Sequence, residues 1–302
     1  TGYYSTFIGM QAGHNVTSGN NNIFIGFQAG NDVTDTNQQI AIGYRSGYAN
    51  GGSMDVHIGY EAGANVTAGD NIGIGRAAGR GYHGVGQAEY GENTTARFNV
   101  YIGSFAGNRV IKTGNVGVGY KAGMNATGSA NTFIGYEAGQ GGTTSAPFSS
   151  GQYNTAVGYQ ALTAFTTGGN NVVMGYGAGY VMTNNASNVI LGRGAFQTAD
   201  DGENNNTIIG DYAGRYINNN NADHNVLIGN ASGQGGTGEL KQCVVIGSLA
   251  MDATGTNTQT GTVAIGYSAL TALTSGTGNV AIGYEALETE DGQTVSIPEL
   301  NF

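Results

Sequence analysis

Tryptophan is absent from the 302-residue chain, proline occurs twice, cysteine once, and only 10% of the residues are charged. Two prolines and the lack of a Gly-X-Y period exclude a collagen-like triple helix. The single Cys243 excludes an internal disulfide framework and a Cys-rich zinc site; beside Val244, Val245 and Ile246 it reads as a buried thiol acting as a small apolar residue. Ten scattered basic residues in a chain of net charge −10 do not make the clustered Lys/Arg surface that a phosphate backbone demands, so nucleic acid is not an expected partner. No apolar run approaches the roughly 18 residues of a membrane span, so direct membrane insertion is not expected. The opening TGYYSTFIG is not a charged-then-apolar leader, so any signal or anchor is expected outside the segment.

Glycine is present in excess, at 56 residues, and aliphatic and aromatic residues recur at fixed intervals, which argues against simple disorder. An apolar residue, Gly, two variable residues and a small residue recur sixteen times, at Gly9, Gly26, Gly43, Gly59, Gly75, Gly103, Gly119, Gly135, Gly158, Gly175, Gly192, Gly210, Gly229, Gly247, Gly266 and Gly283. The spacing is 16 to 19 residues, apart from 28 between Gly75 and Gly103 and 23 between Gly135 and Gly158. Units such as NVAIGYEAL and NTFIGYEAG are too short for a helical hairpin but fit one coil of a β-solenoid, with Gly/Asn/Thr/Ser segments as turns. The predicted fold is therefore all-β: a solenoid of about sixteen coils over residues 1–287, inserted loops near 80–98 and 140–153, and a C-terminal tail at 288–302. Coils stacked at about 4.8 Å predict a rod of roughly 75 to 80 Å.

The columns of that stack carry the next expectations. Asn stands four residues before the Gly in eleven of sixteen coils, as at Asn22, Asn71, Asn99, Asn131, Asn154 and Asn279, which suits an amide ladder along the axis. Val, Ile or Thr stands three residues before the Gly and an apolar residue one before it; period-two spacing puts both on one face, read as the inside of the coil. Ala or Ser stands three residues after the Gly in every coil, a sign of a cramped interior. The conserved Gly implies positive φ or close approach of another backbone. The column two residues before the Gly then points outwards, yet holds Phe7, Phe24, Tyr101, Phe133, Val173, Ile190, Ile208, Leu227 and Val245. An exposed stripe of roughly 700 Å² would exceed the largest patch of a typical monomer, so these residues are assigned to an oligomer interface, with closed cyclic symmetry as the default.

The repeat N-[V/T]-x-[I/V]-G-Y-x-A-[G/L], spanning about residues 5 to 287, resembles the left-handed β-roll head of YadA-like trimeric autotransporter adhesins. It is similar, more closely, to the Gly-Tyr variant in phage tail fibre shafts. The resemblance implies left-handed winding, a parallel homotrimer and an extracellular place on a virion tail or cell surface. It departs from adhesin heads in its longer coils, its two insertions and the lack of an anchor barrel or chaperone domain within the sequence.

Candidate chemistry is sparse. His14, His57, His83 and His224 fall in separate coils or turns, with His57 read at the interface, and Glu61, Glu137 and Glu285 share one column several coils apart. The turn TADDGENNN brings Asp200, Asp201 and Glu203 close in sequence; oxygen-rich turns hold Ca²⁺, but no EF-hand or RTX pattern is present and a solvated acidic turn is the preferred reading. No other cofactor is expected. Eight tyrosines follow the conserved Gly, and a structural stack is preferred over a sugar platform. The insertions are the better sites, because loops on a rigid scaffold carry binding. Tyr82, His83, Tyr90 and Phe98 in the first, and Phe148 and Tyr153 in the second, are the candidate contacts for a receptor or glycan. The expected function is a non-enzymatic attachment fibre, associating with itself and presenting loops or a tip to a host cell-surface glycan or protein. The alternative is a self-polymerising extracellular filament or matrix protein.

Overall fold

Each repeat contributes one three-residue strand that ends immediately before the conserved Gly, where the chain turns a corner. The computed structural model describes residues 4–81, 96–109, 112–142, 149–273 and 276–288. Two units are present, Thr1–Tyr153 and Asn154–Phe302. The first holds eight such strands, from Thr6–Ile8 to Thr132–Ile134, and the second holds eight more, from Thr155–Val157 to Val280–Ile282. Within each unit successive strands pair in parallel and in register, so Val172, Val189, Thr207 and Val226 align, as do Val173, Ile190, Ile208 and Leu227. In the second unit Leu240–Lys241, Gln259–Thr260 and Gly276–Thr277 add a three-stranded parallel sheet. No helix occurs among the described residues. The chain is thus a parallel β-solenoid.

The parity of the strands is the reverse of the sequence expectation. Phe24, Tyr101, Phe133, Val173, Ile190, Ile208, Leu227 and Val245, assigned above to an outward interface, are all buried inside the coil. Phe7, in the first coil, stacks on Phe24 at 5.2 Å and stays 40% exposed because no earlier described coil covers it. His57 belongs to the same interior column: Asn50 Nδ2 lies 2.8 Å from its Nε2, and the Ser46 hydroxyl donates to its carbonyl at 2.8 Å. The flanking Val, Ile and Thr columns face outwards instead and are only partly covered.

The interior is narrow, and in several coils volume is shared between two positions, two residues before and four residues after the conserved Gly. A large first residue stands with Gly in Phe24 with Gly30, Tyr101 with Gly107 and Phe133 with Gly139. A small first residue stands with a large buried one in Ala156 with Leu162 and Ala264 with Leu270, whereas Ile190 with Phe196, both fully buried, and Ala41 with Gly47 do not follow this trade. From Phe24 onwards, Phe24, His57, Tyr101 and Phe133 alternate with Ala41, Gly73 and Gly117 along the first unit. Ala or Ser three residues after the Gly completes the wall, and Ala29, Ala62, Ala106 and Ala195 are fully buried there.

The conserved glycines satisfy both expectations made of them. Their φ runs from 127 to 144°, a region closed to other residues, and a Cβ at Gly43 would lie 2.5 Å from the Gly59 carbonyl oxygen. The Asn ladder also forms. In the second unit Asn188 donates from N and Nδ2 to Asn171 Oδ1 at 3.0 and 3.2 Å, and Asn206 does the same to Asn188 at 2.9 and 3.2 Å. Each Nδ2 reaches a turn carbonyl too, Asn188 to Glu203 at 2.9 Å and Asn206 to Ala222 at 2.8 Å. The ladder therefore ties the first strand position to the turn that closes the coil, and it leaves these buried amides satisfied. Cys243 takes a ladder position, donates its backbone N–H to Asn225 Oδ1 at 3.0 Å, and is buried, which pushes its thiol pKa up.

Candidate functional site

The outward face of the strands is one candidate surface among the described residues. Ile23, Ile58, Ile72, Ile102 and Ile134 in the first unit, and Val172, Met174, Val189 and Ile209 in the second, are exposed large hydrophobic side chains in two straight columns. The tyrosine column runs alongside, one residue past the Gly in eight of the sixteen coils. Tyr44 and Tyr60 stack at 4.9 Å with planes 9° apart, and Tyr159 and Tyr176 stack at 4.9 Å with planes 6° apart. Rings stacked in this way cover one another's faces and present their edges. A sugar needs an open ring face, so the column works as a stabilising stack that widens the apolar strip.

The loop candidates divide. Tyr82, His83, Tyr90 and Phe148 lie outside the described residues. Phe98 and Tyr153 are exposed, at 61% and 62%, but they sit on the repeat itself, at the corner just before the Asn ladder, with φ of 57 and 59°. Asn21, Met54 and Asp70 occupy the same left-handed corner in other coils, with φ of 59, 62 and 66°. The two aromatics thus share a repeating corner position and are not carried on inserted loop backbone.

Of the other titratable candidates, His14 is exposed beside Asn15 at 2.9 Å, and His224 occupies an exposed corner. Glu61 pairs with Arg80 at 2.6 Å and Glu137 with Lys121 at 3.3 Å, each bridging neighbouring coils. The Asp200, Asp201 and Glu203 turn does not close on an ion. Asp201 faces solvent, whereas Glu203 turns into the coil, where its carboxylate accepts from Asn185 Nδ2 at 2.6 Å and from the Asn219 N–H at 2.9 Å. No group of three His, Cys, Asp or Glu placed to hold a metal occurs among the described residues. Burial separates the three carboxylates, because the turn spends Glu203 on donors of the adjoining coils.

Burial pushes the Glu203 pKa from about 4.5 up to about 7, with Asp200 adding to the rise and the bonds from Asn185 and Asn219 opposing it. A carboxyl raised on folding contributes stability that is fully present below pH 4.5 and is lost as pH rises through about 7. The shift corresponds to a loss on the order of 3 kcal/mol across that window. Urea unfolding at the two ends of the window should show this loss in the native chain and a flatter profile in Glu203→Gln.

The chain matches no family model, no curated protein and no solved structure to which it was compared. The solenoid is established by its own strand pairing.

Proposed function

We propose that the protein is a structural attachment fibre whose chains associate with one another through the outward Val/Ile face. The observation that carries this reading is the pair of partly exposed outward columns on the strands, one of Val, Ile or Thr and one aliphatic, flanked by tyrosine in eight of the sixteen coils. Eight coils at about 4.8 Å, about four residues wide, give roughly 500 Å² of largely apolar face in each unit, at the upper end of the largest patch on a typical monomer. Only the column changes from the sequence reading: strands apolar on both sides still imply one core inside the coil and one contact outside it.

The resemblance of the Gly-Tyr repeat to tail fibre shafts and trimeric adhesin heads supports three parallel chains, an extracellular site and a host surface as target, with a tail fibre preferred over an adhesin. A ladder-stapled solenoid suits the mechanical part of that task.

The interface is tested by two substitutions one residue apart. Ile209→Lys places a charge on the outward column and should leave the β-sheet circular dichroism intact while reducing the mass measured by light scattering to one chain. Ile208→Lys, whose side chain is fully buried, should abolish the fold. An unchanged assembly in Ile209→Lys rejects the proposed contact.

A further inference from the structure

A cavity of about 400 Å³ opens on the first unit, lined by Arg45, Tyr48, Glu61, Ala64, Asn65 and Arg80. The repeat builds it from three successive coils. Arg45 and Glu61 stand two residues after Gly43 and Gly59; Tyr48, Ala64 and Arg80 stand five residues after Gly43, Gly59 and Gly75. In that second column a small, buried Ala64 lies between a tyrosine and an arginine, which leaves the notch. The Asn65 N–H donates to the Tyr48 carbonyl at 2.8 Å and holds the wall in place.

The polar groups in the notch are unevenly satisfied. Arg80 donates from Nη1 to Glu61 Oε2 at 2.6 Å, but its Nε is buried and has no partner among the described residues. Arg45 donates from Nε to Gln28 Oε1 at 2.7 Å, with its guanidinium 5.0 Å from the Tyr48 ring centre and 5.7 Å from that of Tyr44. It makes no ion pair among the described residues. Tyr48 is bonded to the Asp32 carboxylate, which raises its pKa and leaves its ring as wall. Two guanidinium groups therefore face the notch against one carboxylate, Glu61, with Asp32 engaged at its edge. In a chain of net charge −10 with ten basic residues, such a site is no general property of the surface.

We infer that this notch binds an acidic saccharide, a sugar ring bearing an oxyanion. The inference rests on the attachment reading and supplies it with a ligand class. The planar donor forks of arginine match carboxylate and sulfate geometry, and the Asn65 carboxamide offers a donor and an acceptor to ring hydroxyls. The cavity lies within the range of small-ligand sites, about 300 to 1,000 Å³, and is larger than a bare anion needs.

The test is calorimetric titration of the whole chain with trigalacturonate, a sulfated disaccharide, a neutral trisaccharide and inorganic sulfate. Saturable binding of a charged sugar, with none of the neutral one, is expected; the carboxylated and sulfated arms identify which oxyanion the site prefers. Arg45→Ala, which removes charge, and Ala64→Leu, which keeps the charge but fills the notch, should each weaken binding by about tenfold or more. Unchanged affinity in both variants, absence of saturable binding by either charged sugar, or equal binding of inorganic sulfate overturns the inference. Light scattering of the same samples separates the two readings. Assembly without sugar binding rejects the notch and leaves the fibre standing, whereas binding by a single chain rejects the fibre and leaves the notch.

Discussion

Replacing Gly43 by alanine is expected to destabilise the first unit by about 4 kcal/mol, although the change adds one methyl group. Two costs combine. Gly43 holds a φ of 130°, where an L-residue is strained by about 1 to 3 kcal/mol. The new Cβ would also stand 2.5 Å from the Gly59 carbonyl oxygen and 2.8 Å from its carbon, and neither moves without opening the parallel ladder on both sides. That overpacking adds about 1 to 3 kcal/mol. Gly255→Ala is the control: its φ is 58° and a Cβ there meets nothing within 4 Å, so a loss of about 1 kcal/mol is expected. Denaturant unfolding of both variants measures the difference. Equal losses would mean that backbone approach between coils does not fix the glycine column.

This contrast shows which features were legible before the structure. Repeat length, the Asn ladder, the Ala column and the Gly corner follow from backbone demands that leave few residue choices, so they could be read from composition by column. Strand parity could not. Val or Ile at the outer positions and Phe, Ala or Ile at the inner one are apolar on both faces, and a period of two separates the faces without saying which is inside. A partial signal was pairing within some coils: Phe24 occurs with Gly30 and Ala156 with Leu162, as two positions sharing one closed space would, although Ile190 with Phe196 and Ala41 with Gly47 break the pattern. The outer columns show no such trade. Glu203 was missed for a related reason, since an acidic turn looks solvated until the neighbouring coils bring Asn185 and the Asn219 N–H to it. The Arg45 notch needs the order of columns around the coil, which spacing alone does not specify.

The shared interior volume leads to the sharpest test of the packing. Phe24→Ala should cost about 3 to 4 kcal/mol by emptying the coil beside Phe7 and Ala41. Gly30→Leu alone should cost at least as much, because a Cβ at Gly30 already meets the Phe24 ring at 2.5 to 2.7 Å. Both changes together recreate the Ala156 and Leu162 arrangement, and Leu162 holds a φ of 53° against 58° at Gly30, so the backbone needed there is one that leucine adopts elsewhere in this chain. The double variant should therefore lose only about 1 to 2 kcal/mol, well below the sum of the single losses. A cycle measured by urea unfolding supplies the coupling energy directly. Additive losses would mean that the two positions do not fill one space; strong compensation would establish that they do in this coil, and that a ring there is accepted because its partner position is Gly.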